Sequence, residues 1–276
     1  MKFDENLAAI HGYLCADGYV IKNPKNQKHK YYHIGLRNTS GVLLKDFQEK
    51  FNKIFGVLPI ITNDSRCRIQ SRKIFEKLTK DYSYYSYEWR MPALSKPCLK
   101  LWLRAYFDCE GWVELQKGKS RAVRADCVNY TGLKAVQSAL SKFGIVSTVN
   151  KRSKPIWRLN VCGLDDIKNF QKHIGFLHPD KALLLNDAIE SYKSYEWKIP
   201  EEKHGLEKFI KKYGKHRKSR NEIRFFSIKQ NNVTTLKKSL ENLGIESSLH
   251  GPWKNNHGTC YYSLILKLDD VRRLEE

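Results

Sequence analysis

A nine-residue segment occurs twice in the sequence, and this duplication constrains the fold more than any other feature. The copies are IHGYLCADG at residues 10–18 and LRAYFDCEG at residues 103–111. They align without gaps as apolar, variable, small, aromatic, apolar, variable, small, acid and glycine. An internal repeat indicates that one structural unit is used more than once, so the chain should contain two similar halves.

The residues after each copy also repeat, which extends the duplication to a whole folding unit. Each copy leads into two strand-like segments, an Asn and a helix, and then into two further strands and a final helix. The predicted strands are residues 19–21, 31–37, 58–62 and 66–70 in the first half, and 112–115, 122–128, 147–150 and 157–161 in the second. The predicted fold class is therefore α+β, with two pseudo-symmetric αββαββα halves.

A third, incomplete copy follows the second half. The segment YEWRMP at residues 87–92, which leads into the second motif, recurs as YEWKIP at residues 195–200. Strand, helix and strand patterns come after it, but the place of the motif helix, residues 209–216, contains no acid. The predicted domains are a first half over residues 1–85, a second half over 86–192 and a degenerate third repeat over 193–276.

The excess of positive charge indicates a polyanionic partner. Lys and Arg number 50 against 29 Asp and Glu, a formal net charge of +21. Residues 19–45 and 127–164 each contain six Lys or Arg and no acid, and residues 203–220 contain eight Lys or Arg with one acid. Such segments suit contact with nucleic acid phosphates. The third repeat is accordingly predicted to be a DNA-binding extension, with a packing cap on the second half as the alternative.

Other features exclude several classes of protein. No apolar run approaches the roughly 20 residues of a membrane span, and the N-terminal residues lack the pattern of a signal peptide, so we expect an intracellular protein without membrane contact. The chain has no nucleophilic first residue and no C-terminal His-Asn, which disfavours an intein. Seven cysteines form no CxxC pair, and this predicts reduced, mostly buried thiols.

In both copies of the motif, small residues stand four positions apart and share one helix face. Small side chains on that face let two helix backbones approach closely. If the motif helices pack there around a pseudo-twofold axis, their C-terminal ends meet. The predicted interface residues are Gly12, Ala16, Ala105 and Cys109.

This packing would bring the two motif acids, Asp17 and Glu110, side by side. Each carboxylate would also face the negative end of its helix dipole, and each of these effects costs on the order of 0.5–1 kcal/mol. A divalent cation offsets both, and paired acids that hold Mg²⁺ suit phosphodiester hydrolysis. The alternative is that both acids are solvated residues at helix ends. The glycines that follow them, Gly18 and Gly111, are expected to adopt the left-handed conformation.

Both nine-residue segments resemble the motif of the LAGLIDADG homing endonucleases, and the copy at residues 103–111 is the nearer to it. The resemblance covers residues 6–192. It implies a monomer whose saddle-shaped antiparallel sheets bind the major groove of double-stranded DNA. It also implies an intron-encoded or free-standing enzyme that makes Mg²⁺-dependent double-strand breaks in a long target and leaves short 3′ overhangs.

Carried over by position, the resemblance assigns roles to particular residues. The implied metal ligands are Asp17 and Glu110, which are also the catalytic acids, and the carbonyl groups of Ala16 and Cys109. Arg37 and Asn129, at the ends of the second strands, would orient water or the leaving group. The alternatives are a phosphate contact for Arg37 and a helix N-cap for Asn129.

Groove-facing residues are expected to be polar and to alternate along the strands. The candidates are Lys22, Lys30, Arg37, Arg66, Arg68 and Gln70 in the first half, Lys119, Arg121, Arg124, Lys151, Arg152, Lys154 and Arg158 in the second, and Lys215, Arg217, Lys218 and Arg220 in the third repeat. Any one of them could be a solvated surface charge. Lys181, at the start of the last helix of the second half, is expected to cap and pack.

Three functions stay open at this point. The first is a site-specific endonuclease. The second is an intron maturase that binds intron RNA on the same scaffold, and the third is a DNA-binding protein whose cleavage has decayed. The presence of both acids argues against the third, because binding alone gives no reason to keep their mutual repulsion.

Overall fold

The computed structural model describes residues 2–116, 120–192, 196–256 and 258–272, apart from the side chains of residues 218 and 272. The chain divides into two compact units, Met1–Ile189 and Glu190–Glu276. The first contains both copies of the motif. Within the described ranges, no helix is long and apolar enough to cross a membrane. The predicted boundary at residues 85 and 86, inside the first unit, stays a prediction.

The first repeat begins with the motif helix, α1. Asp4 caps it, because its carboxylate accepts a hydrogen bond from the backbone N–H of Leu7 at 2.8 Å. Ser71 caps the last helix in the same way. The elements are α1 (Glu5–Cys15), β1 (Gly18–Lys22), β2 (Tyr32–Arg37), α2 (Gly41–Phe55), β3 (Ile60–Thr62), β4 (Arg66–Gln70) and α3 (Arg72–Thr79).

The second repeat has the same order of elements and one additional helix, α7. Its motif helix, α4, has Pro97 in the first turn, where the missing backbone donor is tolerated. The elements are α4 (Lys96–Glu110), β5 (Gly111–Leu115), β6 (Arg121–Cys127), α5 (Tyr130–Ser141), β7 (Thr148–Ser153), β8 (Ile156–Cys162), α6 (Leu164–His173) and α7 (Pro179–Ser191).

Each of these repeats contains one four-stranded antiparallel sheet, ordered β1-β2-β4-β3 in the first and β5-β6-β8-β7 in the second. Alternation along the strands puts Ile34, Leu36 and Cys67 on the side that faces the helices, where they are fully buried with Phe47 and Phe51. On β2 and β4 the opposite, outer side carries polar residues, such as Arg66 and Arg68. The predicted α+β class with two αββαββα halves is confirmed.

The second unit, considered by itself, follows the same plan. Its sheet order, β9-β10-β12-β11, matches that of the two halves. Tyr213 ends its first helix at the place that Glu110 takes in α4, so this repeat has the scaffold without the acid. The elements are α8 (Lys203–Tyr213), β9 (Lys215–Arg217), β10 (Glu222–Ser227), α9 (Gln230–Glu241), β11 (Ser247–Lys254), β12 (Cys260–Lys267) and α10 (Leu268–Arg272).

The glycine after each first helix is required by close approach to that helix. Gly111 is extended, with φ −85° and ψ 154°, and Gly18 does not have a positive φ either, so the expected left-handed conformation is wrong. A Cβ at Gly111 would lie 2.5 Å from the carbonyl oxygen of Phe107, and one at Gly18 would lie 2.4 Å from the backbone of α1. Gly214, after α8, is crowded by the carbonyl oxygen of Ile210 at 2.6 Å.

The cysteines are free thiols, as predicted. Three of them are buried, and three more are partly buried. Cys260 is exposed. The thiols therefore belong to the packed interior more than to the surface, which agrees with a reduced protein.

Candidate active site

Helices α1 and α4 pack against each other along the faces that carry small residues. A Cβ at Gly12 would lie 2.5 Å from the carbonyl oxygen of Trp102 and 3.2 Å from the Cβ of Ala105, so the approach depends on glycine. Ala105 is buried, and one turn later the thiol of Cys109 contacts Asp17. These predicted interface residues therefore lie between the two helices, and the helix ends meet.

Asp17 lies in the short turn between α1 and β1. The Nδ2 of Asn38 donates a hydrogen bond to the Oδ2 of Asp17 at 2.7 Å, and the Oδ1 of Asn38 accepts one from the N–H of Ser40 at 2.9 Å. The N–H of Arg37 donates to the carbonyl oxygen of Asp17 at 3.3 Å. Asn38 was not among the predicted site residues, although it follows the second strand of its half as Asn129 does.

Glu110 is the last residue of α4 and is half-buried. Burial and then the neighbouring carboxylate of Asp17 raise the pKa of Glu110 to about 7, while Lys181 opposes the rise and Asp126 adds to it. An acid can shift the pKa of another in this way only when the two share one local environment. The structure thus brings the two motif acids together.

Lys181, in the first turn of α7, reaches the same end of α4. Its Nζ donates to the carbonyl oxygens of Asp108 at 2.6 Å and Cys109 at 3.3 Å. Burial lowers the pKa of Lys181, and the surrounding acids, including Asp17 and Glu110, oppose that effect. Lys181 does pack, as expected, but it packs against the acids. No spacing in the sequence could show this, because the contacts join residues 72 and 73 positions apart.

Asp108 positions the segment that leads to Lys181. Its carboxylate accepts hydrogen bonds from the N–H groups of Leu177 at 2.9 Å and His178 at 3.0 Å. Burial raises the pKa of Asp108 to about 6, against the opposing effect of these hydrogen bonds. One turn earlier, Arg104 donates to a carbonyl group of the same segment at 2.7 Å. Helix α4 therefore holds the segment between α6 and α7 at two points.

The groups at the C-terminal end of α1, in the first half, differ from those at the end of α4. Cys15 aligns with Asp108 in the motif, and its Sγ lies 3.3 Å from the Nδ1 of His11. Burial raises the pKa of the Cys15 thiol and also that of the nearby Tyr84 hydroxyl, so both stay protonated. The end of α1 therefore faces neutral groups, while the end of α4 faces a lysine.

The two acids are suited to a divalent cation. Among the described residues, no group of three or more His, Cys, Asp and Glu side chains is arranged to hold a metal ion by itself. Mg²⁺, however, binds through one or two carboxylates and fills its other positions with water and phosphate oxygens. Burial contributes most to the raised pKa of Glu110 and the carboxylate of Asp17 contributes next, and a cation would relieve this second effect. Of the implied carbonyl ligands, that of Cys109 already accepts from Lys181, and that of Ala16 stays a prediction.

The side chain of Asn129 is occupied by structural hydrogen bonds, and its catalytic assignment stays a prediction. Its side chain is 5% exposed, accepts from the N–H of Gly132 at 2.9 Å and donates to the carbonyl oxygen of Trp89 at 2.7 Å. It is the N-cap of α5, the alternative considered above. Arg37 ends β2 with an exposed side chain, adjacent to Asp17 through the backbone.

The outer side of the first sheet carries four of the predicted DNA-binding residues. The β2–β4 register joins Arg37 to Arg66, Gly35 to Arg68 and His33 to Gln70, so these side chains share one side. Arg66 also contacts Asp64 at 3.2 Å. The outer side of this sheet is therefore basic.

Two candidates in the first half lie elsewhere. Lys22 pairs with Tyr32, whose ring packs on Phe75 of α3, so Lys22 belongs to the helix-facing side of the sheet. Lys30 lies in the loop between β1 and β2, where its Nζ donates to the carbonyl oxygens of Lys25 at 2.8 Å and Gln27 at 2.7 Å. Lys30 therefore stabilises the loop.

On the second sheet, the outer cations have acidic partners. Arg158 donates two hydrogen bonds to Asp126, at 2.7 and 2.8 Å, and stacks on Trp112 at 4.9 Å. Arg152 also pairs with Asp126, and Arg124 pairs with Glu114 on the same side. Phosphates would have to compete with these carboxylates, so the second sheet differs from the first.

The remaining DNA-binding candidates differ in their exposure and in the side of the sheet on which they lie. Arg121 is 8% exposed and belongs to the helix-facing side, which is a correction to its assignment as a groove contact. Lys151 lies over the ring of Trp157 at 5.9 Å, and Lys154 is exposed in the β7–β8 turn. In the second unit, Lys215, Arg217 and Arg220 are exposed. Lys119 and the side chain of Lys218 lie outside the described part of the chain.

Comparison with known proteins decides the family. The model of the LAGLIDADG-like domain matches residues 4–82 and again residues 97–175, one match for each repeat of the first unit. The chain belongs to the LAGLIDADG family. The two LAGLIDADG motifs end at Asp17 and Glu110, followed by glycine, and the family predicted from them is confirmed.

The relatives of this LAGLIDADG chain are distant. It is 27% identical over 135 residues to the homing endonuclease I-ApeI of Aeropyrum pernix, a match that covers 45% of this chain and 60% of the relative. It is 26% identical over 198 residues to the replication factor C small subunit of Pyrococcus horikoshii, covering 69% of this chain and 20% of the relative. The chain thus spans a fifth of one relative and three fifths of the other.

Two solved structures that resemble this chain are a DNA complex of I-DmoI and a full-length DUF199/WhiA protein. I-DmoI in complex with DNA and Ca has a TM-score of 0.49 and 18% identity, over 66% of this chain and 100% of that one. Full-length DUF199/WhiA from Thermatoga maritima has a TM-score of 0.48 and 14% identity, over 77% of this chain and 68% of that one.

Proposed function

We propose that this protein is a site-specific endonuclease that makes double-strand breaks in a long DNA target, with a divalent cation, Mg²⁺ in the cell, as its cofactor. The observation that carries the proposal is the convergence of Asp17 and Glu110 at the adjoining ends of α1 and α4, where the pKa of Glu110 rises to about 7. Family membership and the likeness to a homing endonuclease support it.

In this proposal the side chains around the acids have separate tasks. Asp17 and Glu110 would hold the cation, and Asn38 orients Asp17 through its hydrogen bond to Oδ2. When bound, the cation supplies neutralising charge and lowers the pKa of a water molecule. Lys181, fixed by the carbonyl groups of α4, adds a positive charge where the phosphate becomes more negative in the transition state.

The outer sides of the two sheets are the proposed surface for duplex DNA. On the first sheet, Arg37, Arg66 and Arg68 are directed toward the ligand. On the second, Arg124 and Arg158 would exchange carboxylates for phosphates. Because both acids come from one chain, we propose that a monomer cleaves, and that the basic third repeat adds contacts to DNA.

The test compares Asp17→Asn and Glu110→Gln with the wild type. We expect each variant to lose at least about a hundredfold in the rate of double-strand cleavage in Mg²⁺, while duplex binding in Ca²⁺ stays within a few-fold of wild type. The target is obtained first, by selecting cleaved sites from a randomised DNA library. Glu76→Gln, an exposed carboxylate on α3, is the matched control and should cut normally.

Two results would decide against the proposal. Full cleavage by the double variant Asp17→Asn/Glu110→Gln would show that the acids are not catalytic. Failure of the wild type to cut any sequence of the library, with duplex binding intact, would indicate the cleavage-deficient DNA-binding protein instead.

A further inference from the structure

The outer side of the sheet in the second unit exposes a row of aromatic side chains. We call Phe226 on β10, Tyr261 on β12 and Trp253 on β11 the aromatic row. Phe226 is 43% exposed and Trp253 is 51% exposed. The rings of Phe226 and Tyr261 have centroids 6.2 Å apart, and Trp253 pairs with Tyr261 in the strand register. The row therefore crosses three neighbouring strands.

The sheet needs none of these rings for its own core. On β10 the alternate residues Ile223 and Phe225 are each 1% exposed, and they pack with Leu264 and Leu266 of β12 against the helices. Phe226 follows Phe225 and so takes the opposite side. An exposed aromatic row separated from the core by a whole sheet is typical of a binding surface.

Positive charge surrounds the row. The Nζ of Lys215 lies 5.7 Å from the ring centroid of Phe226, and Arg224 shares the outer side with it. The carboxylate of Glu222 on this side is bound by Arg224 at 2.6 Å and approached by Arg217 at 3.9 Å. Flat rings flanked by lysine and arginine suit a ligand that has both bases and phosphates.

The ligand chemistry that fits is an unpaired strand. In a duplex the base faces are covered by stacking, and only base edges and phosphates are accessible, so aromatic faces would gain little from it. Unpaired bases can stack on the rings, and their backbone can follow the cations. His250, which pairs with Ser263 in register beside the row, is exposed, and its ring is placed to hydrogen-bond a ribose 2′-hydroxyl.

We propose that the outer side of this sheet binds a single-stranded segment of RNA, with bases stacked on Phe226, Tyr261 and Trp253 and phosphates on Lys215 and Arg224. This activity is separate from cleavage of duplex DNA and does not depend on it. It adds a second ligand to the DNA contacts proposed for the basic residues of the third repeat.

The test measures binding by the full-length protein to three labelled probes of one sequence: RNA and DNA single strands of about ten nucleotides, and the corresponding DNA duplex. We expect the RNA strand to bind more tightly than the DNA strand. Phe226→Ala and Trp253→Ala should each weaken RNA binding by about ten-fold to a hundred-fold. Trp253→Phe should retain most of it, and duplex binding should not change.

Tyr85→Ala is the matched control, because this ring is 67% exposed but lies in the first unit. Circular dichroism checks that each variant is folded, and Lys215→Gln, which leaves the row intact, should weaken RNA binding if an alanine variant does not fold. Unchanged RNA binding in the folded row variants would overturn the proposal. So would equal affinity for the DNA strand, or an equal loss in Tyr85→Ala.

Discussion

The stability of the helix pair should depend on pH through His11. This residue lies on α1, is 1% exposed, and accepts a hydrogen bond at Nδ1 from the Nε1 of Trp102 on α4 at 3.0 Å. Its ring packs against Phe3 and Tyr82. Burial lowers the pKa of His11 from 6.5 to about 3, because a charged imidazole would lose its hydration and the acceptor role of Nδ1.

The sign and size of the effect follow from this shift. The pKa of His11 is lower in the folded protein, so as pH falls below 6.5 the unfolded chain binds the proton first. The contribution of His11 is complete above pH 6.5 and is lost progressively toward pH 3, at up to about 1.4 kcal/mol per pH unit. Between pH 7 and pH 5 the free energy of unfolding should fall by about 2 kcal/mol from this residue.

Urea unfolding of the wild type and His11→Asn at pH 7, 6 and 5 measures this contribution. Asparagine can still accept from Trp102 but does not titrate, so the wild type should lose about 2 kcal/mol more than the variant over this range. Every other titrating group is present in both proteins and cancels in the difference. His29→Asn, in the exposed β1–β2 loop, controls for the substitution itself. Equal pH slopes for wild type and His11→Asn would refute the reasoning.

Substitutions at three further positions test other parts of the first unit. Gly12→Ala should lower the free energy of unfolding by about 1–3 kcal/mol, because the added Cβ meets the carbonyl oxygen of Trp102. An unchanged free energy in urea unfolding would contradict the close contact between the helices. Asn129→Ala should lower the free energy of unfolding by a similar amount of about 1–3 kcal/mol and leave the cleavage rate of the folded protein unchanged. Slow cleavage at normal stability would instead indicate a catalytic role for Asn129. Lys181→Met should slow cleavage at least about ten-fold with normal duplex binding in Ca²⁺, and Lys181→Arg should recover part of the rate. A wild-type cleavage rate for Lys181→Met would show that the positive charge of Lys181 has no part in the mechanism.

The repeated architecture was predictable because its causes are local. Strand alternation and small residues four positions apart are properties of short segments, so the sequence alone indicates the sheets and the helix contact at Gly12 and Ala105. The approach of Asp17 to Glu110 then follows from pseudo-symmetry. These predictions needed no knowledge of which distant residues meet.

The surroundings of the acids could not be predicted in the same way. Lys181 reaches α4 through a loop anchored on Asp108, and that contact depends on the path of the whole second repeat. Asn38 and Asn129 occupy similar positions in the sequence, yet one bonds Asp17 and the other bonds Trp89, a residue 40 positions away. Duplication fixes the backbone plan, whereas side-chain partners diverge.

The crowded glycine behind each first helix is a feature that the frame itself demands in all three repeats. Gly18, Gly111 and Gly214 all lie where the chain leaves the first helix of a repeat, although only two of them follow an acid. A side chain there would collide with the helix backbone whatever the protein does, while an acid matters only for as long as the chemistry is used. Tyr213 therefore stands on an intact frame where the other two repeats have an acid, and protein engineers could begin there when grafting new chemistry onto the third repeat.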